Sequence, residues 1–314
     1  MDITSITRRY SRRGLARPNV AYYLWRFVGN GRRTWCAATT RSTHDVGAIA
    51  QRLTKDGIAV ATADQFLSAA GRQSLDAATT QIVRASRSEE TEALISGGKG
   101  GARKKKFLVH LVSYPLGIPS DEPLLAVALD PKLLEIVATY LGMWPSLYSM
   151  GAWLNYPTDA PPELSQMWHR DPEDIKLVKA FIYLSDVDEF SGPFTYIPGT
   201  QPFGARSLAA KRLERKGRRL EDSQMIFPPQ AWKVCTGPAS TMILADTVGF
   251  HRGGKPTSGR RTLITFTYTS GTPIDDSKQW LRGQPSFATT EMQRSAVAWL
   301  IDGQHRRKSG RKRS

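Results

Sequence analysis

Cysteine is scarce, with only Cys36 and Cys235 in 314 residues. Two thiols so far apart exclude a disulfide framework and do not have the spacing of a thiolate metal site. Long apolar runs are also missing. No stretch of about 18 or more apolar residues occurs, which excludes a transmembrane helix. Met1 to Pro18 is polar and Arg-rich, without the apolar centre of a secretory leader. A reducing cytoplasm is therefore the expected compartment. Apolar residues as such are not lacking: 40% hydrophobic and 9% aromatic content are ordinary for a globular chain of this length, which can bury a large core.

What the chain has in excess is positive charge, +16 in all. The excess sits in four segments, Arg8–Arg17, Lys99–Lys106, Arg206–Arg219 and Arg306–Arg313, and the remainder is mildly acidic. Contact with nucleic acid or an anionic surface through basic tails and loops is one reading. Solvated charge runs are the other.

Periodicity divides the chain. Residues 1–43 form a basic N-terminal extension in which Val20 to Trp25 has strand character. Residues 44–303 form one domain. Its first part, 44–142, is mainly helical support. Val46, Ile49, Ala50 and Leu53 recur at helical spacing up to Asp56-Gly57, a strand follows at Ile58 to Ala61, and a second helix runs from about Phe66 to Val83. Gly97 to Gly101 with Arg103 to Lys106 makes a basic loop. It lacks the Lys-Ser/Thr pair of a phosphate-binding loop, so a solvated loop is the preferred reading. Phe107 to Val112 is a strand carrying His110, which is read as a core residue. Asp130-Pro131 starts a helix that Gly142 closes.

From 145 to 270 the chain becomes a series of short extended runs separated by Gly, Pro, Asp or Ser, which predicts an antiparallel sandwich or barrel. A basic helix at 205–222, with Leu208, Arg212 and Arg215 on one side, interrupts this core as a lid or a surface excursion. A helix at 289–300 and a disordered basic tail at 304–314 complete the chain.

Trp168-His169-Arg170-Asp171 lies between two such runs. On extended backbone, side chains two apart share a face, so His169 and Asp171 offer two metal ligands from one short segment, while Arg170 points away. His251, which also follows a strand, is the third candidate. Two histidines and one carboxylate on one face of a metal leave the opposite positions open, which suits non-haem Fe(II) and oxygen chemistry. Ten residues on, Arg261 opens the strand Thr262 to Tyr268, where its guanidinium could pair with the distal carboxylate of a dicarboxylic acid. Arg260 competes for that role, because a one-residue slip reverses the faces. In Val178 to Leu184, Lys179, Phe181 and Tyr183 share the mixed face expected to line the interior. Val178, Ala180, Ile182 and Leu184 share an aliphatic face suited to packing under helices. Lys179 and Tyr183 are candidate cosubstrate contacts, and Gln166 is a weaker one.

With these residues in place, the sequence resembles the phytanoyl-CoA dioxygenase family of Fe(II)/2-oxoglutarate oxygenases. The likeness rests on Trp168 to Asp171, Val178 to Leu184, Ser191 to Thr200 and His251 to Tyr268, and covers roughly residues 44 to 270. It implies an α+β, mainly β fold: a double-stranded β-helix, or cupin-like jelly roll, with supporting N-terminal helices. It also implies Fe(II) held by His169, Asp171 and His251, with 2-oxoglutarate anchored by Arg261 and O2 as the second cosubstrate. The Arg261 position, seven residues before Tyr268, favours it over Arg260. The implied reaction is hydroxylation of an unactivated C–H bond in a small or medium-sized metabolite. The basic lid and loop hint that this substrate is anionic. Asp171 argues against halogenation, since halogenating relatives carry a small residue there. The alternative is a non-catalytic jelly roll that binds nucleic acid or an anionic surface.

Overall fold

The computed structural model describes residues 22–97, 106–114, 116–271, 273 and 279–310. The basic segment Arg8–Arg17 and all of the Gly/Lys loop from 98 to 105 lie outside the described residues, as do residues 311–314 of the tail. After a π-helical turn, Leu24–Gly29, come α1 (Gly31–Thr39), α2 (Gly47–Asp56), β1 (Ile58–Thr62), α3 (Ala63–Phe66), α4 (Ala69–Ser86) and α5 (Glu89–Ser96). They are followed by β2 (Leu108–Val112), β3 (Ile118–Pro119), α6 (Pro123–Ala128), α7 (Pro131–Leu141), β4 (Ser146–Asn155), β5 (Val178–Tyr183) and β6 (Phe194–Tyr196). The chain ends with α8 (Ser207–Glu214), β7 (Lys233–Cys235), β8 (Thr241–Ala245), β9 (His251–Gly253), β10 (Arg261–Thr269), β11 (Leu281–Arg282) and α9 (Glu291–Gly310).

Local chemistry sets these boundaries. The Asp130 side chain accepts the Leu133 N–H at 3.0 Å and Pro131 occupies the first helical position of α7. Gly142 ends that helix at φ 71°, a left-handed conformation that glycine adopts without steric cost. Between these caps Leu133, Leu134, Val137 and Leu141 are completely buried. Gly57 ends α2 in the same way at φ 76°, and a side chain there would collide with Tyr196 and Gln201. The turn delivers the chain directly into β1.

The large sheet has the order β1-β8-β5-β10-β4-β2, every pair antiparallel. A smaller sheet, β7-β6-β9, is extended by an isolated antiparallel bridge between His169 and His251. Alternate residues of the large sheet separate two cores. Val178, Ala180, Ile182, Met242, Leu244, Ile264 and Phe266 pack with Leu53, Phe66, Leu75, Leu133 and Val137 of the helical layer. Tyr183, Ile243, Ala245 and Leu263 point the other way and meet Phe194, Tyr196 and Cys235 of the small sheet. Each fully buried side chain of this size contributes about 1.5–3 kcal/mol. Helices cover one face of the large sheet and the small sheet covers the other, so the fold is a jelly roll with helical support, in the α+β class. Among the described residues no helix is long and apolar enough to cross a membrane.

Four expectations are corrected. Residues Val20 to Trp25 do not form a strand where they are described. The chain is helical there, because Trp25 is drawn inward to the core and the Asn30 side chain donates to its carbonyl at 2.8 Å. The second half of the expected extension 1–43 therefore belongs to the packed body. The basic insert is helical only over Ser207–Glu214. Its buried side chains are Ala210 and Leu213, with Leu208 exposed, and together with Leu220 they pack on Trp168, Ile197 and Phe250. That makes it a cover for the small sheet. Finally, the last helix continues to Gly310 where a disordered tail was expected from 304. Nothing between Leu300 and Gly310 except Gly303 disfavours a helix, and arginine and lysine have good helical propensity.

Candidate metal centre

Backbone pairing brings the site together. His169 and His251 exchange both backbone hydrogen bonds, N to O at 2.9 and 3.0 Å, and the Asp171 N–H donates to the Thr247 carbonyl at 2.8 Å. Residues directly opposite across an antiparallel pair project from the same face, as do residues two apart along one strand. His169, Asp171 and His251 therefore converge, and one ligand atom from each lies within 4.8 Å of the others. The two imidazole centroids are 4.2 Å apart, and Phe194 packs beside His251 at 5.6 Å.

Hydrogen bonds fix the histidine tautomers. His169 Nδ1 is 2.9 Å from the Met167 carbonyl and His251 Nδ1 is 3.0 Å from the Gly249 carbonyl. A carbonyl only accepts, so each Nδ1 carries the proton and each Nε2 presents a bare lone pair. Those Nε2 atoms face opposite oxygens of Asp171, at 3.6 Å from Oδ1 for His169 and 3.5 Å from Oδ2 for His251. Burial lowers the pKa of both imidazoles, against the pull of Asp171, so they are neutral at neutral pH. Burial would raise the Asp171 carboxyl, but Lys179 and the two histidines outweigh it and hold it below the usual carboxylate range. Two bare nitrogens facing an ionised carboxylate form a set of donors with no proton between them. A divalent cation satisfies all three at once.

Lys179 reaches this cluster from β5, its Nζ 2.6 Å from Asp171 Oδ2 and 3.4 Å from Glu173 Oε1. The Tyr183 hydroxyl donates to the Cys235 carbonyl at 2.9 Å and accepts the Phe194 N–H at 3.1 Å. Burial pushes it up to about 12 despite the neighbouring Arg261. Arg261 is buried. Its guanidinium donates to the Gly192 carbonyl, its Nε has no partner, and a side chain added at Gly253 would come within 3.2 Å of it. Gly253 is two residues past His251 on β9, so Arg261 lies along the strand that carries a metal-ligand candidate. Arg260 lies on the outside, where it pairs with Glu92 of α5 at 3.0 Å.

Gln166 is buried, with its Oε1 accepting the Glu163 N–H at 3.1 Å and its Nε2 unpartnered. Arg170 turns away, donating to the Val248 carbonyl at 2.5 Å and pairing with Glu214. His110 stacks edge-on against Trp153 at 4.2 Å, outside the cluster. Two residues escaped the sequence reading. Glu173 follows Asp171 by two, and the same period-two rule would have found it. Arg219, from the loop after α8, lies within electrostatic reach of Asp171 and Glu173, and no local pattern pointed to it.

Fold and cluster together define a jelly-roll protein with a buried two-histidine, one-carboxylate site suited to a divalent metal. No family model matches the chain, and no curated protein matches it. Many solved structures show a distant likeness, SnoN, EctD and HygX among them. SnoN, a non-heme alpha ketoglutarate dependent epimerase from nogalamycin biosynthesis, has a TM-score of 0.47 at 15% identity over 79% of this chain and 96% of its own. EctD from S. alaskensis has a TM-score of 0.45 at 17% identity over 78% and 85%. HygX from Streptomyces hygroscopicus, solved with nickel and 2-oxoglutarate bound, has a TM-score of 0.43 at 19% identity over 77% and 89%.

Proposed function

We propose that this chain is an Fe(II)- and 2-oxoglutarate-dependent dioxygenase that hydroxylates an unactivated C–H bond of a small or medium-sized metabolite. The observation that carries the reading is the convergence of two proton-free Nε2 atoms on the Asp171 carboxylate. In this reading His169, Asp171 and His251 hold the iron, and Arg261 receives the distal carboxylate of 2-oxoglutarate. Held there, iron would supply the oxidising chemistry that couples conversion of 2-oxoglutarate and O2 to succinate and carbon dioxide with hydroxylation of the substrate.

The chain's own residues then have separable tasks. The Met167 and Gly249 carbonyls hold the two imidazoles in the tautomer that ligates through Nε2. Arg261, buried and always charged, presents a fixed fork of donors to a carboxylate. Tyr183, its hydroxyl already committed, holds the guanidinium in place and adds apolar wall. Phe181 and Phe194, 4.5 Å apart, continue that wall from His251 and exclude water from the reacting centre.

The test is anaerobic addition of Fe(II) and 2-oxoglutarate. A visible metal-to-ligand charge-transfer band is expected in the wild-type protein, absent in His169→Ala and restored by no excess of iron. A folded, metal-loaded wild-type protein with no band sinks the proposal. The basic segments support a second reading, contact with an anionic surface, through the overall charge of +16 alone. Salt-sensitive retention on heparin without 2-oxoglutarate turnover would favour it.

A further inference from the structure

The lysine beside the metal ligands is already engaged, and its partners suggest a task other than touching a cosubstrate. Lys179 sits on β5 opposite Ala245 of β8 and Thr267 of β10, neither of which offers a charge. Both of its ion pairs go to the segment that follows His169: Asp171 Oδ2 at 2.6 Å and Glu173 Oε1 at 3.4 Å. The lysine side chain is only 18% exposed, so these pairs are shielded from water.

The two oxygens of Asp171 are therefore not equivalent. Oδ1 faces His169 and has no lysine on it, whereas Oδ2, which faces His251, also carries the ammonium. A carboxylate free to rotate can give a metal both oxygens, and each oxygen given fills a coordination position. A charge-assisted hydrogen bond at 2.6 Å competes for one of them. We infer that Lys179 is a positioning residue that pins Oδ2 of Asp171 and restricts this ligand to a single oxygen, which keeps adjacent coordination positions open for a chelating oxo acid. Glu173 is the second anchor. Its Oε1 holds the ammonium at 3.4 Å, and its other oxygen, Oε2, is buried without a partner. The inference rests on the iron and 2-oxoglutarate reading of the same site.

The sign of the expected effects separates this role from a structural one. Loss of a group that supports a metal ligand usually weakens metal binding about 10- to 100-fold. In Lys179→Met the opposite should hold. The substitution removes a positive charge from beside the cation and releases Oδ2 as a further ligand, so Mn(II) should bind roughly tenfold more tightly, while 2-oxoglutarate should bind the Mn(II)-loaded variant roughly tenfold more weakly. Lys179→Arg, which retains charge and donor, should restore both values toward wild type.

Anaerobic calorimetry of Mn(II) and then 2-oxoglutarate measures the two affinities, and a crystal structure of Mn(II)-loaded Lys179→Met should have Asp171 bound through both oxygens. Tighter metal with weaker cosubstrate, rescued by arginine, supports the assignment. Unchanged or weaker Mn(II) binding in a folded Lys179→Met, or Asp171 still bound through one oxygen, overturns it and leaves the iron reading standing. A wild-type protein that takes up no Mn(II) or Fe(II) overturns the iron reading itself, and the role of Lys179 with it.

Discussion

Arg261→Ala is expected to weaken 2-oxoglutarate binding to the Mn(II)-loaded protein about a hundredfold, whereas Arg260→Ala should change it by no more than about twofold. The two arginines are neighbours in sequence and opposites in setting. Arg261 is buried at the start of β10 with its guanidinium against Gly253 and Tyr183, and its Nε lacks a partner. Arg260 extends into solvent and pairs with Glu92 on α5. Truncating one partner of a desolvated carboxylate pair costs about 2–5 kcal/mol, and every 1.4 kcal/mol is about tenfold in affinity. The solvent-screened pair on the outside has no route to the pocket. Arg261→Lys should recover part of the loss, since it restores the charge without the two-pronged geometry. Mn(II) affinity measured without cosubstrate is the control, because neither arginine touches a metal-ligand candidate. Equal losses in the two alanine variants, or wild-type affinity in Arg261→Ala, would refute the anchor assignment.

That difference also illustrates what the sequence made legible. Strand phase identified which side of β5 is aliphatic, and Val178, Ala180 and Ile182 do lie under the helices. The Asp130-Pro131 start and the Gly142 stop of α7 were readable because capping is local chemistry. His169 and Asp171 could be paired from period two alone. His251 was a candidate because it too follows a strand, but its pairing with His169 could not be read, because that approach depends on a bridge between residues 82 apart in the chain. Arg260 and Arg261 were inseparable by local pattern, since the residue at which β10 begins decides which one faces inward.

The misreadings have the same physical origin. Val20 to Trp25 is aromatic enough to pass for a strand, but where it is described the burial of Trp25 against distant residues outweighs that preference. The basic insert carries helical spacing past Glu214, but Gly217 interrupts the helix and Leu220 pairs with Trp168.

Trp25 is the position where the N-terminal part of the chain has the largest expected effect on stability. Trp25→Ala should destabilise the protein by about 3–5 kcal/mol, as expected for truncating a large aromatic side chain in a packed core. The more informative variant is Trp25→Phe, which keeps most of the packing and removes the indole N–H. That N–H lies 2.8 Å from Asp174 Oδ1 and 3.0 Å from Ser270 Oγ. Burial raises the Asp174 carboxyl to about 7, although the N–H groups of Ser270, Ile175 and Trp25 act to lower it. A carboxyl raised in the folded state binds a proton there that the unfolded chain has already lost. Its contribution to stability is therefore full below about pH 4 and is lost as the pH rises through about 7.

Removing the indole donor raises the folded-state pKa further, so the stability difference between wild type and Trp25→Phe should be small at pH 5.5 and grow by about 1.4 kcal/mol per unit of additional shift by pH 8.5. Urea unfolding of the apoprotein at the two pH values measures this difference directly, and contributions from other titrating groups cancel between the two proteins. A difference independent of pH would mean that Asp174 does not titrate against Trp25. Asp174 lies three residues after Asp171, on the connection that leads into β5. The same hydrogen bond thus ties the N-terminal helices to the segment that positions both Asp171 and Lys179. Metal affinity in Trp25→Phe should accordingly fall at pH 8.5 and stay near wild type at pH 5.5, where the neutral carboxyl needs the indole donor least.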